Sequence, residues 1–234
     1  MKFKVNPKIF DDFDNPRIAL IVVSGADNAV ETSGLEQQTS QIVESIREKF
    51  SSETLSQQPK IAAWRDAFRQ FGVKAKDYPS SIEALYKRIL RGQDLGTINP
   101  LVDIYNYISL KYMLPVGGED LDAMQGDFEL TYATDNEVPV TVLGKDEAQA
   151  PRPGEVLYKD DLGAICRRWC WREVARTILT EHTKNCVLVL EAIGPFADTD
   201  LTQAQDELAR LVAQYCHSET KSFVLDKQTP SVSV

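Results

Sequence analysis

The chain has 234 residues and a net charge of −9 at pH 7, with 43% hydrophobic and 26% charged residues. This composition is typical of a globular protein and excludes collagen-like, disordered and disulfide-scaffold classes. No apolar run approaches the roughly 20 residues of a membrane-spanning helix, and the N-terminus lacks the apolar region of a signal peptide. The sequence therefore predicts a cytoplasmic protein with no membrane partner.

The cysteines and histidines predict neither a metal site nor a cofactor. Cys166 and Cys170 are four residues apart, which is not the spacing of a CxxC zinc or redox pair, and the chain has only two histidines. The other two cysteines are Cys186 and Cys216. We expect all four to be buried reduced thiols.

The first half of the chain predicts one buried strand followed by helices. Apolar periodicity places the strand at 17–24 and the helices at 35–50, 61–71, 80–91 and 100–112. Ser80 and Glu83 have the spacing of a capping box. Asn99 followed by Pro100 is a typical helix start.

The second half predicts mainly strands. Alternating or continuous apolar residues place them at 128–132, 138–142, 155–158, 163–171, 186–193 and 222–225, with a helix at 198–216. Because helices and strands are intermixed without strict alternation, the predicted fold class is α+β with mixed or antiparallel sheets. We expect residues 1–60 to be integrated with the core of a domain at 61–225, and residues 226–234 to form a flexible tail.

The positive charge is concentrated in two segments of this acidic chain. Residues 60–91 contain eight basic and three acidic side chains, a net charge of +5, and residues 165–184 contain five and two, a net charge of +3. This asymmetry permits a local anion-binding face. Solvated helix surfaces are the alternative explanation.

A polar row interrupts the apolar helix that begins at Pro100. Asn99, Asp103 and Asn106 are spaced to share one side of it. They either line a pocket or brace the neighbouring loop at 115–120, since buried polar groups need partners. Within that loop, the adjacent glycines Gly117 and Gly118 allow positive φ angles and a close backbone approach to a ligand.

The segment 166–173, with the sequence CRRWCWRE, is the densest cluster of chemically active side chains. In a strand, Arg167, Trp169 and Trp171 would share one face, and Arg168 and Arg172 would lie on the other. Adjacent arginine and tryptophan side chains suit stacking on bases and pairing with phosphate. They equally suit a core strand whose arginines pair with carboxylates.

Three segments together resemble a known family: WRDAF followed by YPSSIEALYKRIL, then INPLVDIYNYISLKYMLPVGGEDLD, then EVLYKDDLGAICRRWCWR. Between residues 61 and 193 the chain is similar to the B3/B4 domain of the phenylalanyl-tRNA synthetase β subunit. The resemblance implies an α+β fold with sheets in a sandwich-like core flanked by helices. It also implies a pocket that, in the synthetase, hydrolyses tyrosine wrongly attached to the phenylalanine tRNA.

The leading hypothesis is a tRNA-associated domain that hydrolyses the ester of a misacylated tRNA. The resemblance places Glu173 or its neighbour near the synthetase's glutamate, and Glu173 is the candidate catalytic residue. The expected pocket for the aminoacyl group consists of Asn99, Asp103, Asn106, Gly117 and Gly118. The expected RNA-binding residues are Arg65, Arg88, Arg167, Arg168, Trp169 and Arg172.

The second hypothesis is a module that binds RNA or a free amino acid without catalysis. Two observations favour it: the net charge, and the residues Val116–Glu119, which stand where the synthetase has a histidine. A third possibility is an interaction protein whose arginine–tryptophan segment belongs to the core. DNA is not an expected partner under any of the three.

Overall fold

The computed structural model describes the backbone of residues 1–234 and the side chains outside 196–199. The helices are α1 (Pro7–Asp12), α2 (Leu35–Lys49), α3 (Pro59–Gln70), α4 (Ser81–Leu90), α5 (Pro100–Tyr112) and α6 (Ala197–Tyr215). The strands are β1 (Lys2–Val5), β2 (Arg17–Ser24), β3 (Val116–Asp120), β4 (Phe128–Tyr132), β5 (Val156–Asp160), β6 (Gly163–Arg167), β7 (Arg172–Glu173), β8 (Cys186–Ala192), β9 (Glu219–Leu225) and β10 (Ser231–Ser233).

The strands form two sheets, as the α+β prediction requires. One has the order β10-β1-β4-β5-β6-β7, in which β1 and β4 are parallel and the other neighbours antiparallel. The other has the order β3-β8-β2-β9 and is antiparallel throughout. The predicted fold class is confirmed.

Strand β2 shows why the domain is layered. Its side chains alternate, so that Ile18 and Leu20 pack into the core between the two sheets, together with Phe128 and Trp64. Ala19 and Ile21 point the other way, into the core formed with α5 and α6. Both faces of β2 are therefore buried, which explains its nearly continuous apolar sequence. A third apolar cluster joins α2, α3, α4 and α5.

The ends of the chain differ from the prediction. Strand β1 and helix α1 were not recognised in the sequence, and residues 231–233 form β10 where we expected a flexible tail. Strand β10 pairs with β1, from Lys2 opposite Ser233 to Lys4 opposite Ser231. These elements are short, and their pairing partners lie far away in the sequence, so local periodicity gives little sign of them.

The predicted strand over 163–171 is wrong beyond Arg167. Arg168 and Trp169 have φ angles of 51° and 61°, and the chain turns there before β7. The alternation of side chains expected along this segment is therefore broken at the turn. The predicted strand at 138–142 is also absent, because Val140 and Val142 each make only an isolated bridge.

Two local expectations about turns and caps are also wrong. Ser80 lies at the N-cap of α4, but its Oγ has no hydrogen-bond partner and no capping box forms. Gly117 and Gly118 lie in the extended strand β3, so neither has a positive φ angle. Asn99, in contrast, caps α5 as predicted, since its side chain accepts a hydrogen bond from Val102 N.

All four cysteines are buried free thiols. Within the part of the chain that the structure describes, the helices are too short or too polar to cross a bilayer.

Candidate functional site

A cavity of about 540 Å³ lies where the edge strand β7 of one sheet meets the edge strand β3 of the other. Helices α4 and α5 contribute to its wall, and side chains from the cores of both sheets reach its interior. Its lining contains the carboxyl groups of Glu119, Glu173 and Glu191, the aromatic rings of Tyr105, Phe128, Tyr158, Trp169 and Trp171, and the guanidinium groups of Arg88, Arg91 and Arg172.

Glu173 is held in the seam between the two sheets. Its Oε1 accepts a hydrogen bond of 3.2 Å from the backbone nitrogen of Gly118. Burial raises the pKa of Glu173 to about 7, although the Gly118 N–H opposes this shift. A carboxyl group with a pKa near neutrality is equally able to give and to take a proton at physiological pH.

Glu191 lies on β8 and is only 4% exposed. Its Oε1 accepts two hydrogen bonds, one from the Tyr158 hydroxyl and one of 2.6 Å from Trp169 Nε1. Burial raises its pKa to about 7, while both donors stabilise the ionised form. The two donors fix the orientation of the carboxyl group, because they reach the same oxygen from two different elements.

Glu119 lies on β3 and is also 4% exposed. Its Oε2 is buried without a hydrogen-bond partner. Burial and the charge of Glu173 raise the pKa of Glu119 well above its usual range. A buried carboxyl oxygen without a partner costs free energy, on the order of 1–3 kcal/mol, which points to a role other than stability.

The arginines lie at the mouth of the cavity. Arg88 and Arg91 project from the end of α4 and are exposed, and among the described residues neither forms an ion pair. Arg172 is also exposed and donates to the Leu143 carbonyl oxygen over 3.1 Å. The site thus combines a buried acidic interior with a basic rim.

The two glycines of β3 give the site its shape. A Cβ atom on Gly117 would lie 3.1 Å from Glu173 Oε1, and one on Gly118 would lie 2.7 Å from Leu188 Cδ2. Their function here is close approach of the backbone to its neighbours, and not an unusual φ angle.

The structure brings many of the candidate residues from the sequence to this cavity and leaves others outside it. Those in its lining are Arg88, Asn106, Gly117, Gly118, Trp169, Arg172 and Glu173. Trp169 is 1% exposed and serves as a wall and as a hydrogen-bond donor to Glu191. Stacking of a base on its ring is therefore not available in this conformation.

Asn99 and Asp103 have structural partners outside the cavity. The side chain of Asn99 is buried, donates to the Leu179 carbonyl oxygen and accepts from Asn28. Asp103 accepts from Ile98 N and lines a separate groove beside α2. Of the predicted polar row, only Asn106 reaches the cavity.

Three of the proposed RNA-binding arginines are engaged within the protein. Arg65 pairs with the fully buried Glu83 at 2.6 Å. Arg167 is 2% exposed and binds both carboxylate oxygens of Glu155, with distances of 2.5 and 2.9 Å. Arg168 lies with its Cζ 3.9 Å from the ring centroid of Tyr78 and 4.5 Å from that of Trp171.

Sequence reasoning did not identify Glu119, Glu191, Tyr158 or Arg91 as site residues. The signal for Glu191 was present: it is a lone carboxylate near the end of CVLVLEA, a strand that is otherwise apolar and buried. A charge in such a strand needs a partner or a function. Glu119 directly follows the two glycines and could have been found in the same way.

Comparison with known proteins agrees with the resemblance seen in the sequence. A family model described as the B3/4 domain matches residues 63–217. Over 93 residues, the chain is 32% identical to the phenylalanine–tRNA ligase beta subunit of Fusobacterium nucleatum subsp. nucleatum, a match that covers 40% of this chain and 11% of that subunit.

Among solved structures, the chain is similar to an N-terminal fragment of the phenylalanyl-tRNA synthetase beta-subunit from Pyrococcus horikoshii. The TM-score is 0.47 at 12% identity, with 93% of this chain and 49% of that fragment covered. The chain thus spans about half of the solved fragment and about a tenth of the curated relative. Because the family model matches well over half of its residues, the chain belongs to the B3/4 domain family.

Proposed function

We propose that this protein hydrolyses the ester bond of a misacylated tRNA. One observation carries the proposal: a carboxyl group with a pKa of about 7, that of Glu173, lines a cavity whose rim consists of exposed arginines. The ligase relationship supplies the substrate class, since the similar subunit is named for a phenylalanine tRNA ligase. A volume of about 540 Å³ has room for an amino acid together with a terminal ribose.

In this mechanism Glu173 acts as the general base. It removes a proton from a water molecule as the water oxygen attacks the ester carbonyl carbon. The bond between the carbonyl carbon and the ribose oxygen then breaks, and the proton passes from Glu173 to that oxygen. The free amino acid and the uncharged tRNA leave. Because the Gly118 N–H holds Oε1 in place, the other oxygen of Glu173 is available to the water.

The rim would hold the acceptor end of the RNA. Arg88 and Arg91 present exposed guanidinium groups without ion-pair partners among the described residues, and the exposed Arg172 belongs to the same lining. Guanidinium groups bind phosphate oxygens in a two-pronged geometry. Asn106 adds a neutral amide to the same wall.

A second candidate function is binding of an amino acid or RNA without hydrolysis. It is favoured by the chemistry of the lining, whose described residues include carboxyl groups but no histidine. His182 and His217 are both exposed and lie elsewhere. Binding alone would need the acidic interior and the basic rim, but it would not need a proton transfer.

Deacylation of a panel of radiolabelled aminoacyl-tRNAs, correctly and wrongly charged, tests the proposal. We expect selective loss of one mischarged species with the native protein. The rate due to the protein should fall by about 10²- to 10⁴-fold in Glu173→Gln and remain native in the control Glu219→Gln, whose side chain is exposed on β9. No acceleration over buffer across the panel would overturn hydrolysis and leave the binding module.

A further inference from the structure

A second depression, of about 610 Å³, shares part of its wall with the cavity. Ala84, Trp171 and Arg172 line both spaces. We call this depression the side groove. Its other walls consist of residues 77–79, residues from the segment 140–149, Arg167 and Arg168. The side groove has no part in the proton transfer described above.

Arg168 is a buried cation in the side groove that lacks a partner. The residue is only 6% exposed, and within the part of the chain that the structure describes its guanidinium group forms neither an ion pair nor a hydrogen bond. Burial and the charges of Arg167 and Arg152 lower the pKa of Arg168, and the carboxylate of Glu155 opposes this shift. Buried charged groups are normally paired.

Glu155 cannot serve as the missing partner, because its oxygens are already bound. Its Oε1 accepts from Arg167 Nε at 2.5 Å and from the backbone nitrogen of Arg168 at 3.1 Å. Its Oε2 accepts from Arg167 Nη2 at 2.9 Å. The guanidinium group of Arg168 is therefore left facing the groove.

Two aromatic rings hold this guanidinium group in place. Arg168 Cζ lies over the ring of Tyr78, 3.9 Å from its centroid, and 4.5 Å from the ring centroid of Trp171. The two rings are perpendicular to each other. Such contacts stabilise a cation but offer its N–H groups no acceptor oxygen. A guanidinium group has five N–H donors in a rigid plane, which matches an oxyanion with two oxygens side by side.

The remaining charges of the side groove balance one another. Arg167 is neutralised by Glu155. No carboxyl group of the described lining lies within ion-pair distance of Arg168. The exposed charged residues are Lys145 and Arg172, which are basic, and Asp77, Asp146 and Glu147, which are acidic. Together with Arg168 the two signs are equal in number, so an anion would be bound by the fixed guanidinium group and not by a broad positive field.

We propose that Arg168 binds a phosphate group of the RNA strand that leaves the cavity. This inference rests on the proposed function, which makes RNA the substrate. Because Trp171 and Arg172 line both spaces, a strand whose terminal ribose lies in the cavity would meet the side groove on its way out. Phosphate is the anion that recurs along such a strand, and a planar guanidinium group binds two of its oxygens at once.

Two substitutions of Arg168 test the proposal, with uncharged tRNA as the probe. Arg168→Lys keeps the charge but removes the planar donor group, so we expect the affinity to fall about tenfold with an unchanged salt dependence. Arg168→Met also removes the charge and should reduce the slope of log affinity against log salt concentration by about one. A thermal melt shows whether each variant is folded. Native affinity and slope in both folded variants would overturn the proposal.

An exposed position in the groove gives a test that does not depend on the folding of the buried variants. Lys145→Glu places a carboxylate in the side groove. Lys221→Glu makes the same change of charge at an exposed position on β9, outside the described lining. We expect Lys145→Glu to weaken tRNA binding about threefold or more beyond the effect of Lys221→Glu. Equal effects of the two substitutions would contradict a phosphate in the groove.

The deacylation panel and inorganic phosphate distinguish this proposal from the hydrolysis. Hydrolysis of a mischarged tRNA, with a raised KM and an unchanged kcat in Arg168→Lys, supports both. Hydrolysis with a native KM in that variant keeps the esterase and overturns the phosphate site. Binding of tRNA that depends on Arg168, without hydrolysis of any tRNA, does the reverse. If calorimetry shows that inorganic phosphate binds through Arg168 while tRNA does not bind, the RNA phosphate is overturned in favour of a free one.

Discussion

The Oε1 atom of Glu173 lies 3.2 Å from the backbone nitrogen of Gly118 and accepts its hydrogen. Glu173 is on β7 and Gly118 on β3, and each of these strands is the edge of its sheet. The contact therefore joins two sheets that share no strand. This hydrogen bond also fixes the position of the Glu173 carboxyl group. A movement of β7 relative to β3 would therefore change the environment of that group.

The pH dependence of deacylation should reflect the ionisation of Glu173. With a pKa of about 7, the active carboxylate increases about tenfold per pH unit below 7 and is nearly complete above 8. After subtraction of the buffer rate at each pH, the rate due to the protein should rise and then level. Glu173→Gln should lower that rate by about 10²- to 10⁴-fold. A flat profile between pH 5.5 and 8 would exclude Glu173 as the base.

Removing a rim arginine should weaken RNA binding in a salt-dependent way. Each of Arg88→Ala and Arg91→Ala should reduce the slope of log affinity against log salt concentration by about one, because one phosphate contact is lost. Arg69→Ala is the control, since Arg69 is exposed on α3 and pairs there with Asp66. Filter binding over a range of salt concentrations measures the slopes. Equal slopes for all three variants would mean that the rim does not contact phosphate.

The two glycines of β3 should respond differently to alanine. A Cβ on Gly118 would lie 2.7 Å from Leu188 Cδ2 and 2.8 Å from Leu179 Cδ1, both within the protein. Gly118→Ala should therefore lower the free energy of unfolding by about 1–3 kcal/mol. Gly117→Ala would press on Glu173 Oε1 at 3.1 Å and should reduce activity more than stability. Urea unfolding and deacylation of both variants measure the contrast, and identical effects would contradict it.

Stability should fall as the pH rises from about 4.5 to about 7. The pKa of Glu191 in the folded protein is about 7 against a usual value of 4.5, so between these values the folded state binds this proton more tightly than the unfolded chain. The free energy of unfolding therefore decreases from about pH 4.5 to about pH 7 and stays lower above. Glu191→Gln should show a smaller decrease in urea melts at pH 5, 6, 7 and 8. A parallel decrease in both proteins would assign the effect to other groups.

Two arginines of one short segment should differ in their effect on stability. Arg167 is buried against Glu155, so Arg167→Ala leaves a buried carboxylate without its partner and should cost about 3–5 kcal/mol. Arg172 is exposed and donates to one carbonyl oxygen, so Arg172→Ala should cost less than about 1 kcal/mol. Chemical denaturation of both variants provides the comparison. Equal losses of unfolding free energy in the two variants would show that burial does not determine how much each arginine contributes to stability.

Much of the fold follows from periodicity in the sequence. The helices α2 to α6 lie within a few residues of their predicted ranges, because each has an apolar stripe and most have a clear start or stop. Strands β2 and β8 were recognisable because they are apolar on both faces. The turn after Arg167 was not recognisable from the sequence. Arg168 and Trp169 have a left-handed backbone that their residue types do not indicate, and tertiary contacts such as the Trp169–Glu191 hydrogen bond hold it in place.

The site was less accessible to sequence reasoning than the fold. Glu173 and the glycines of β3 were named, and the structure places them in one cavity. The sequence did not show which arginines are buried in ion pairs and which are exposed at the rim. Arg167 contacts Glu155 because β5 and β6 pair in the folded protein, and local sequence does not indicate that contact. Glu119 and Glu191 are single charges in buried strands, and only the geometry shows that they face the same space.

The sheet order also determines when this domain can fold. Strand β1 pairs with β4 and β10, and β2 pairs with β8 and β9. Residues 2–24 therefore form part of their hydrogen bonds with residues 219–233, at the other end of the domain. Pairings between distant residues close slowly, because the entropy of loop closure is lost before the contact is gained. During synthesis, β1 and β2 are made long before β10 and β9, with which they pair. The strands that form the seam around Glu173, β3 and β7, therefore precede in the chain the strands β9 and β10, which form the opposite edges of the two sheets.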